Sequence, residues 1–295
     1  MMKIDDIDPV TAIDGLLEQT FKDIGIPARP EIIDRISAEM IKVDPNFRQL
    51  GQIISGDVGL SASLMKTANS PFFGLNRKSY SPLEALMMLG LDVASQAIAG
   101  ICLRNVYLPN RETEILLRRS AQVAALSGWL AKSLGGRKLR ADMAYTYGLF
   151  RDCGVPVMLK RFPGYAAVLD RANGDPLLPY TQVEHFGLPD FPIDHALVGF
   201  LLAKDWWLPE EISIAIRHHH ELAALESPEA WLSQTSRYLI ATGQTAEYIL
   251  EQLNGDRYSN EWPKLGGACL RVLSLTEDEL PSMYDEAAQI LKMVE

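Results

Sequence analysis

Cysteine is scarce in this chain. There are three in 295 residues, Cys102, Cys153 and Cys269, odd in number, far apart and in no Cys-x-x-Cys arrangement. That spacing excludes a disulfide framework and a cysteine zinc site, and it suits buried thiols in a reducing cytoplasm. Runs of like charge are missing too. Lys plus Arg is 28 against 38 Asp plus Glu, a net charge of -10. An acidic surface repels phosphate backbones, so nucleic acid is not an expected partner. One long apolar stretch, Ala85 to Leu103, could span a bilayer, but Asp92 sits near its middle. A mid-bilayer charge costs at least ~2.5 kcal/mol. Gly90 followed by Leu91-Asp92 reads instead as a helix stop and a new N-cap, giving two buried helices and no membrane partner. The opening MMKIDDIDPV has no apolar core of a secretory signal, so the expected location is cytoplasmic. Phosphate loops, dinucleotide fingerprints and a Gly-x-Ser-x-Gly elbow are also absent.

What is present is helical periodicity. Ile32, Ile33, Ile36, Met40 and Ile41 follow the 3.6-residue period behind Pro30, and Leu60, Leu64, Met65 and Ala68 do the same behind Gly56 and Gly59. Ser81-Pro82-Leu83-Glu84 and Thr276-Glu277-Asp278-Glu279 are capping boxes, and Ser227-Pro228-Glu229 is a third helix start. A long helix is predicted from about Glu112 to Leu134, ending at Gly135-Gly136. No segment alternates convincingly as a strand, so the expected class is all-α. Tyr107-Leu108-Pro109-Asn110 divides two helical blocks, and the stretch from Gly243 reads as added helices. Trp206-Trp207 and Met87-Met88 read as core packing.

Two strings carry a resemblance. The first block contains Ile53-Ile54-Ser55-Gly56-Asp57-Val58-Gly59-Leu60-Ser61, then Asn69-Ser70-Pro71-Phe72-Phe73-Gly74, then Ala85-Leu86-Met87-Met88-Leu89-Gly90. The second contains Gly148-Leu149-Phe150-Arg151-Asp152-Cys153-Gly154, His195, Trp207-Leu208-Pro209 and Arg217-His218-His219-His220-Glu221. Together these resemble the HDOD domain family, bacterial signalling modules related to the metal-dependent HD phosphohydrolases. The resemblance implies a two-part helical fold: an extension over residues 1–19, an HDOD domain over 20–245 (an N-terminal subdomain 20–108 and an HD-like subdomain 109–245), and C-terminal helices over 246–295. It also implies a non-catalytic role in signal transduction.

Carried over position by position, the HD metal ligands fall on Arg119, Arg151, Asp152 and Ser236, and the histidines that binuclear relatives add fall on His195, His219 and His220. Arginine cannot ligate a cation, because guanidinium stays protonated and has no free lone pair. With one primary ligand of four retained, the expectation is no catalytic residue, no metal and no cofactor. Asp152 and the histidines form a plausible ligand set only if they converge. Successive helical residues point about 100° apart, so at most two of the three consecutive histidines can aim at one ion. Arg119 and Arg151 are candidate donors to a small anionic ligand, although Arg151 pairing with an acid explains it more simply. Asn69, Phe72 and Phe73 are candidate partner-docking residues; helix capping by Asn69 is the plainer reading. The expected protein is a cytoplasmic output module or adaptor that meets an unidentified signalling protein in trans. The competing expectations are a weak metal-dependent phosphohydrolase using Asp152 and the histidines, and a sensor of a nucleotide-like anion.

Overall fold

The computed structural model describes residues 27, 30–69, 78–106, 111–135, 139–188, 193–226, 232–255 and 258–292. Phe72, Phe73, the Tyr107–Asn110 boundary and the Ser227 helix start lie outside the described residues. The described residues form helices and no strand.

The first part is α1 (Glu31–Met40), α2 (Phe47–Ser55), α3 (Val58–Ala68), α4 (Pro82–Leu89) and α5 (Leu91–Val106). Short polar caps set their starts: Asn46 accepts from the Gln49 amide, Asp57 from Leu60 and Ser81 from Glu84. Gly90, at φ 78°, turns the chain between α4 and α5. Asp92 lies in the first turn of α5, so the helix starts two residues earlier than an Asp92 cap would require. Leu50, Ile54, Leu64, Leu86 and Ile98 are fully buried between these helices. Met87 is instead exposed, because α4 turns only Ala85 and Leu86 inward.

The second part begins with the long α6 (Arg111–Ser133), then α7 (Ala141–Phe150), α8 (Val155–Arg161), α9 (Tyr165–Gly174) and α10 (Tyr180–Gly187). It continues through α11 (His195–Asp205), α12 (Glu210–His218), α13 (Leu222–Glu226), α14 (Gln234–Asn254), α15 (Trp262–Leu273) and α16 (Tyr284–Lys292). The Thr276–Glu279 capping box is present, but it opens a 3₁₀ segment (Glu277–Met283) that leads into α16. Helices α6, α7 and α14 pack together around Leu126, Leu130, Tyr147, Phe150 and Ile240. The two parts meet where α5 lies on α7: Thr146 Oγ1 donates to Gln96 Oε1 at 2.7 Å, and Gly100 leaves room for Leu149. Trp206 is 1% exposed with its ring edge-on to Phe150, whereas Trp207 is 65% exposed at φ 59°.

The C-terminal boundary at 245/246 is a correction. Helix α14 runs unbroken across it. Gly243 is there because Tyr147 lies against the helix: a Cβ at 243 would sit 2.5 Å from Tyr147 Cε1. The glycine marks a close approach of ring and backbone, not the end of a domain.

A second close contact positions the functional region. The turn after α7, Arg151–Gly154, lies against the first turn of α11, where a Cβ on Gly154 would be 2.0 Å from the His195 carbonyl oxygen and 2.7 Å from the Gly199 nitrogen. Both neighbours are backbone and cannot swing aside, so Gly154→Ala should destabilise the fold by about 3 kcal/mol or more. Gly174, at the last turn of α9 with open space around its Cβ position, should tolerate alanine within about 1 kcal/mol. Urea unfolding of the two variants beside the parent checks the contrast.

Candidate functional site: a guanidinium beside an imidazole cluster

Asp152, in the turn after α7, divides two differently charged neighbourhoods. On one side lie the arginines. Arg151, 3% exposed, donates through Nη2 to Glu247 Oε2 at 2.7 Å, and its Nε lies 3.8 Å from Asp152 Oδ1. Arg119, on α6, donates to Glu247 Oε1 at 3.0 Å and to Glu251 Oε1 at 3.3 Å, with its guanidinium 3.7 Å from the Tyr258 ring centroid. Glu247 is thus gripped by both arginines. Burial would raise its carboxyl, but Arg151 and Arg119 outweigh that and hold it below its ordinary value. Glu251, by contrast, is raised by burial and by the Glu247 charge.

The structure brings Glu247, rather than Ser236, to Arg119 and Arg151. Ser236 lies at the start of the same helix, where its amide donates to Ser233 Oγ and its hydroxyl donates to the Glu211 carbonyl at 3.0 Å. It belongs to a helix cap. Eleven residues is almost three whole turns of helix, so Glu247 shares the Ser236 face about 16 Å further along. The sequence pattern held a signal for it: Gln244, Glu247 and Glu251 follow one stripe of α14 among Ile240, Ala241, Ile249 and Leu250. All three polar residues are buried.

On the other side of Asp152 the imidazoles converge. His195 is the first residue of α11, and His219 and His220 follow the end of α12. Nε2 of His195 lies 3.4 Å from Nε2 of His219 and 3.2 Å from Nε2 of His220. Asp152 Oδ1 is 3.4 Å from His219 Nε2 and 3.7 Å from His195 Nε2. The four ligand atoms all lie within 4.8 Å of one another. His218 turns away and pairs with Glu221 at 3.0 Å, so two of the three consecutive histidines share the cluster.

Each ring is fixed from behind. His195 Nδ1 donates to both Glu184 oxygens at 2.9 Å, His219 Nδ1 to the Ile216 carbonyl at 2.7 Å, and His220 Nδ1 to Glu261 Oε2 at 2.6 Å. Tyr165 donates to Glu184, Lys264 to Glu261 at 2.8 Å, and Tyr180 stacks on His220 with ring centroids 4.2 Å apart. Glu184 and Glu261 carry no sequence motif; only the fold brings α10 and the start of α15 behind the rings. Burial lowers His195, but Glu184 and Asp152 overcome it and raise the ring to about 9. Burial and the neighbouring cations push His220 well down and His219 down. Burial would raise Asp152, yet Arg151 and the imidazoles hold it well below the usual carboxylate range.

The two halves differ in what they can hold. Two of the positions at which the resemblance places primary HD ligands bear Arg119 and Arg151, and two fixed guanidinium charges do not fit a cation there. The gap bordered by Arg151, Asp152, Tyr180, His220 and Glu247 measures about 20 Å³, room for one water molecule. Asp194, beside His195 in sequence, caps α11 through the Leu197 amide at 2.6 Å and meets His185 instead. Asn69, at the end of α3, binds the Ser79 backbone through both side-chain ends, at 3.0 and 2.7 Å. Cys102, Cys153 and Cys269 are buried free thiols.

Removing one partner of the buried Arg151–Glu247 pair strands the other. Arg151→Ala is therefore expected to cost about 3–5 kcal/mol, and Arg151→Met with Glu247→Leu should recover most of it in chemical denaturation at neutral pH. The depressed Glu247 carboxyl contributes stability above the unfolded-state value near pH ~4.3, and that contribution drains away as pH falls through its folded value. Glu247→Gln should accordingly flatten the acid limb of a stability–pH curve.

Comparison with known proteins agrees with this architecture. A protein of Treponema pallidum (strain Nichols), described only as uncharacterized, is 26% identical over 240 residues, 81% of this chain and 45% of its own length. The chain thus spans about half the length of that curated relative. An HDOD domain protein from Geobacter sulfurreducens superposes with a TM-score of 0.63 at 22% identity, covering 95% of this chain and 96% of its own. A protein from Shewanella amazonensis SB2B, provisionally named a phosphohydrolase, gives 0.64 at 19% identity, covering 95% and 98%. These two likenesses establish the all-α fold. The family model described as HDOD domain matches residues 26–222, and the chain belongs to the HDOD domain family.

Proposed function

We propose that this chain is a non-catalytic regulatory module of bacterial signal transduction that acts by binding another protein. The observation that carries this reading is the buried Arg151 guanidinium on Glu247 beside Asp152, 2.7 Å from the carboxylate. An HD hydrolase activates water on a cation held at its primary ligands. Here the position beside Asp152 bears a fixed positive charge, and the adjoining gap takes one water rather than a phosphodiester. The sensor reading, an anion held by Arg119 and Arg151, has less support: Glu247 and Glu251 already occupy Nη2 of both guanidinium groups. Partner docking through Asn69, Phe72 and Phe73 gains no support at Asn69, whose two side-chain ends both bind the Ser79 backbone.

Turnover decides between the module and the weak hydrolase. A generic phosphodiester with added manganese should be cleaved no faster by the protein than by the metal alone, and Asp152→Ala should leave that rate unchanged. Metal-dependent turnover that Asp152→Ala abolishes would establish the hydrolase instead.

A further inference from the structure

The imidazole cluster is built differently from a set of histidines that merely fill space. The Ile216 carbonyl can only accept, so His219 Nδ1 carries the hydrogen and Nε2 of the neutral ring is a bare lone pair. Glu184 and Glu261 impose the same tautomer on His195 and His220. In their neutral forms, the His195 Nε2 lone pair therefore faces those of His219 and His220 from 3.4 and 3.2 Å, with the Asp152 carboxylate beside them. Such an arrangement is repulsive until a proton on one Nε2 or a cation among the three relieves it, and a cation satisfies all three nitrogens and the carboxylate at once. Donors fixed by hydrogen bonds at the far ring nitrogen are the usual support of a metal site.

The spacing specifies the coordination. Four ligands at zinc–nitrogen and zinc–oxygen distances of about 2.0–2.1 Å make a tetrahedron with edges of about 3.3 Å. Four of the edges here measure 3.2, 3.4, 3.4 and 3.7 Å. The rings of His195, His219 and His220 are 1–5% exposed, and three imidazoles with one carboxylate suit a borderline transition ion rather than magnesium or calcium.

We infer that Asp152, His195, His219 and His220 form a closed, mononuclear site for a zinc-class divalent ion, one that ties the turn after α7 to the start of α11 and the end of α12. Four protein ligands leave no coordination position for substrate, so the ion is structural. This goes beyond the regulatory reading and is independent of it: metal occupancy is measured by binding, hydrolysis by turnover.

The full chain is stripped with a chelator and titrated with Zn²⁺ against a competing chelator, and Co²⁺ is used as the spectroscopic probe. One zinc ion per chain, a rise in Tm on loading, and the intense visible bands of tetrahedral cobalt are the expected results. His219→Gln should weaken zinc more than ~100-fold, and Glu261→Gln, which loosens only the His220 ring, by about 10–100-fold. His218→Gln, outside the cluster, should leave affinity unchanged. Zinc uptake well below one equivalent would overturn the site. So would an octahedral cobalt spectrum of the parent protein, or equal losses in His218→Gln and His219→Gln. Should His219→Gln not fold, the parent's cobalt spectrum and the Glu261→Gln titration decide alone.

Discussion

The Asp152 carboxylate has a guanidinium on one flank and imidazoles on the other, and the rest of the site is arranged around that division. A half-buried carboxylate crowded by other groups is stabilised by positive partners, and here they come from two sources that cannot be exchanged. Arginine is permanently charged and brings its cation with it; imidazole offers a lone pair and needs a proton or an ion to become positive. The two sides of Asp152 are thereby two neighbouring environments, a salt bridge and a ligand cluster.

The arginine half shows what replacing a bound ion with fixed charge requires. Guanidinium groups held inside need acids, and α14 supplies them as Glu247 and Glu251 one helical turn apart. Such a pair has little net effect on stability compared with an apolar replacement, because desolvation offsets most of the attraction. Its consequence is chemical: the charge is covalently attached, cannot exchange and cannot ionise water. The histidine half keeps the opposite property, donors held still by Glu184, Ile216 and Glu261 with their lone pairs turned inward.

Helices hold half of these groups, and the turn after α7, the turn after α12 and the residue ahead of α15 hold Arg151, Asp152, His219, His220 and Glu261. Arg119 rides on α6, Glu247 and Glu251 on α14, Glu184 on α10 and His195 on the first turn of α11. Of the two turns that carry site residues, Arg151–Gly154 is clamped by the contact of Gly154 with the α11 backbone, and the one after α12 by the hydrogen bonds of His219 to Ile216 and of His220 to Glu261. Rigid placement explains how buried charges persist without rearranging into simpler pairs.

Much of the architecture was legible in the residues alone. The 3.6-residue periods, the caps at Ser81 and Thr276 and the stop at Gly90 are local matters, settled by side chains within a turn of one another, and they specify helices. The Asn-Ser-x-Phe-x-Gly and His-His-Glu strings likewise pointed to the family, and the 100° step between helical residues limited the histidine run to two contributors, as His218 shows by pairing with Glu221. What local pattern could not decide was partnership across the chain. Ser236 and Glu247 share one helix face, so periodicity cannot choose between them; only the packing of α14 on α6 and α7 does. Gly243 reads as the start of added helices until the Tyr147 ring is found against it. The convergence of His195, His219, His220 and Asp152 likewise belongs to the tertiary structure, because side chains from three separated segments meet only when the folded backbone carries them there.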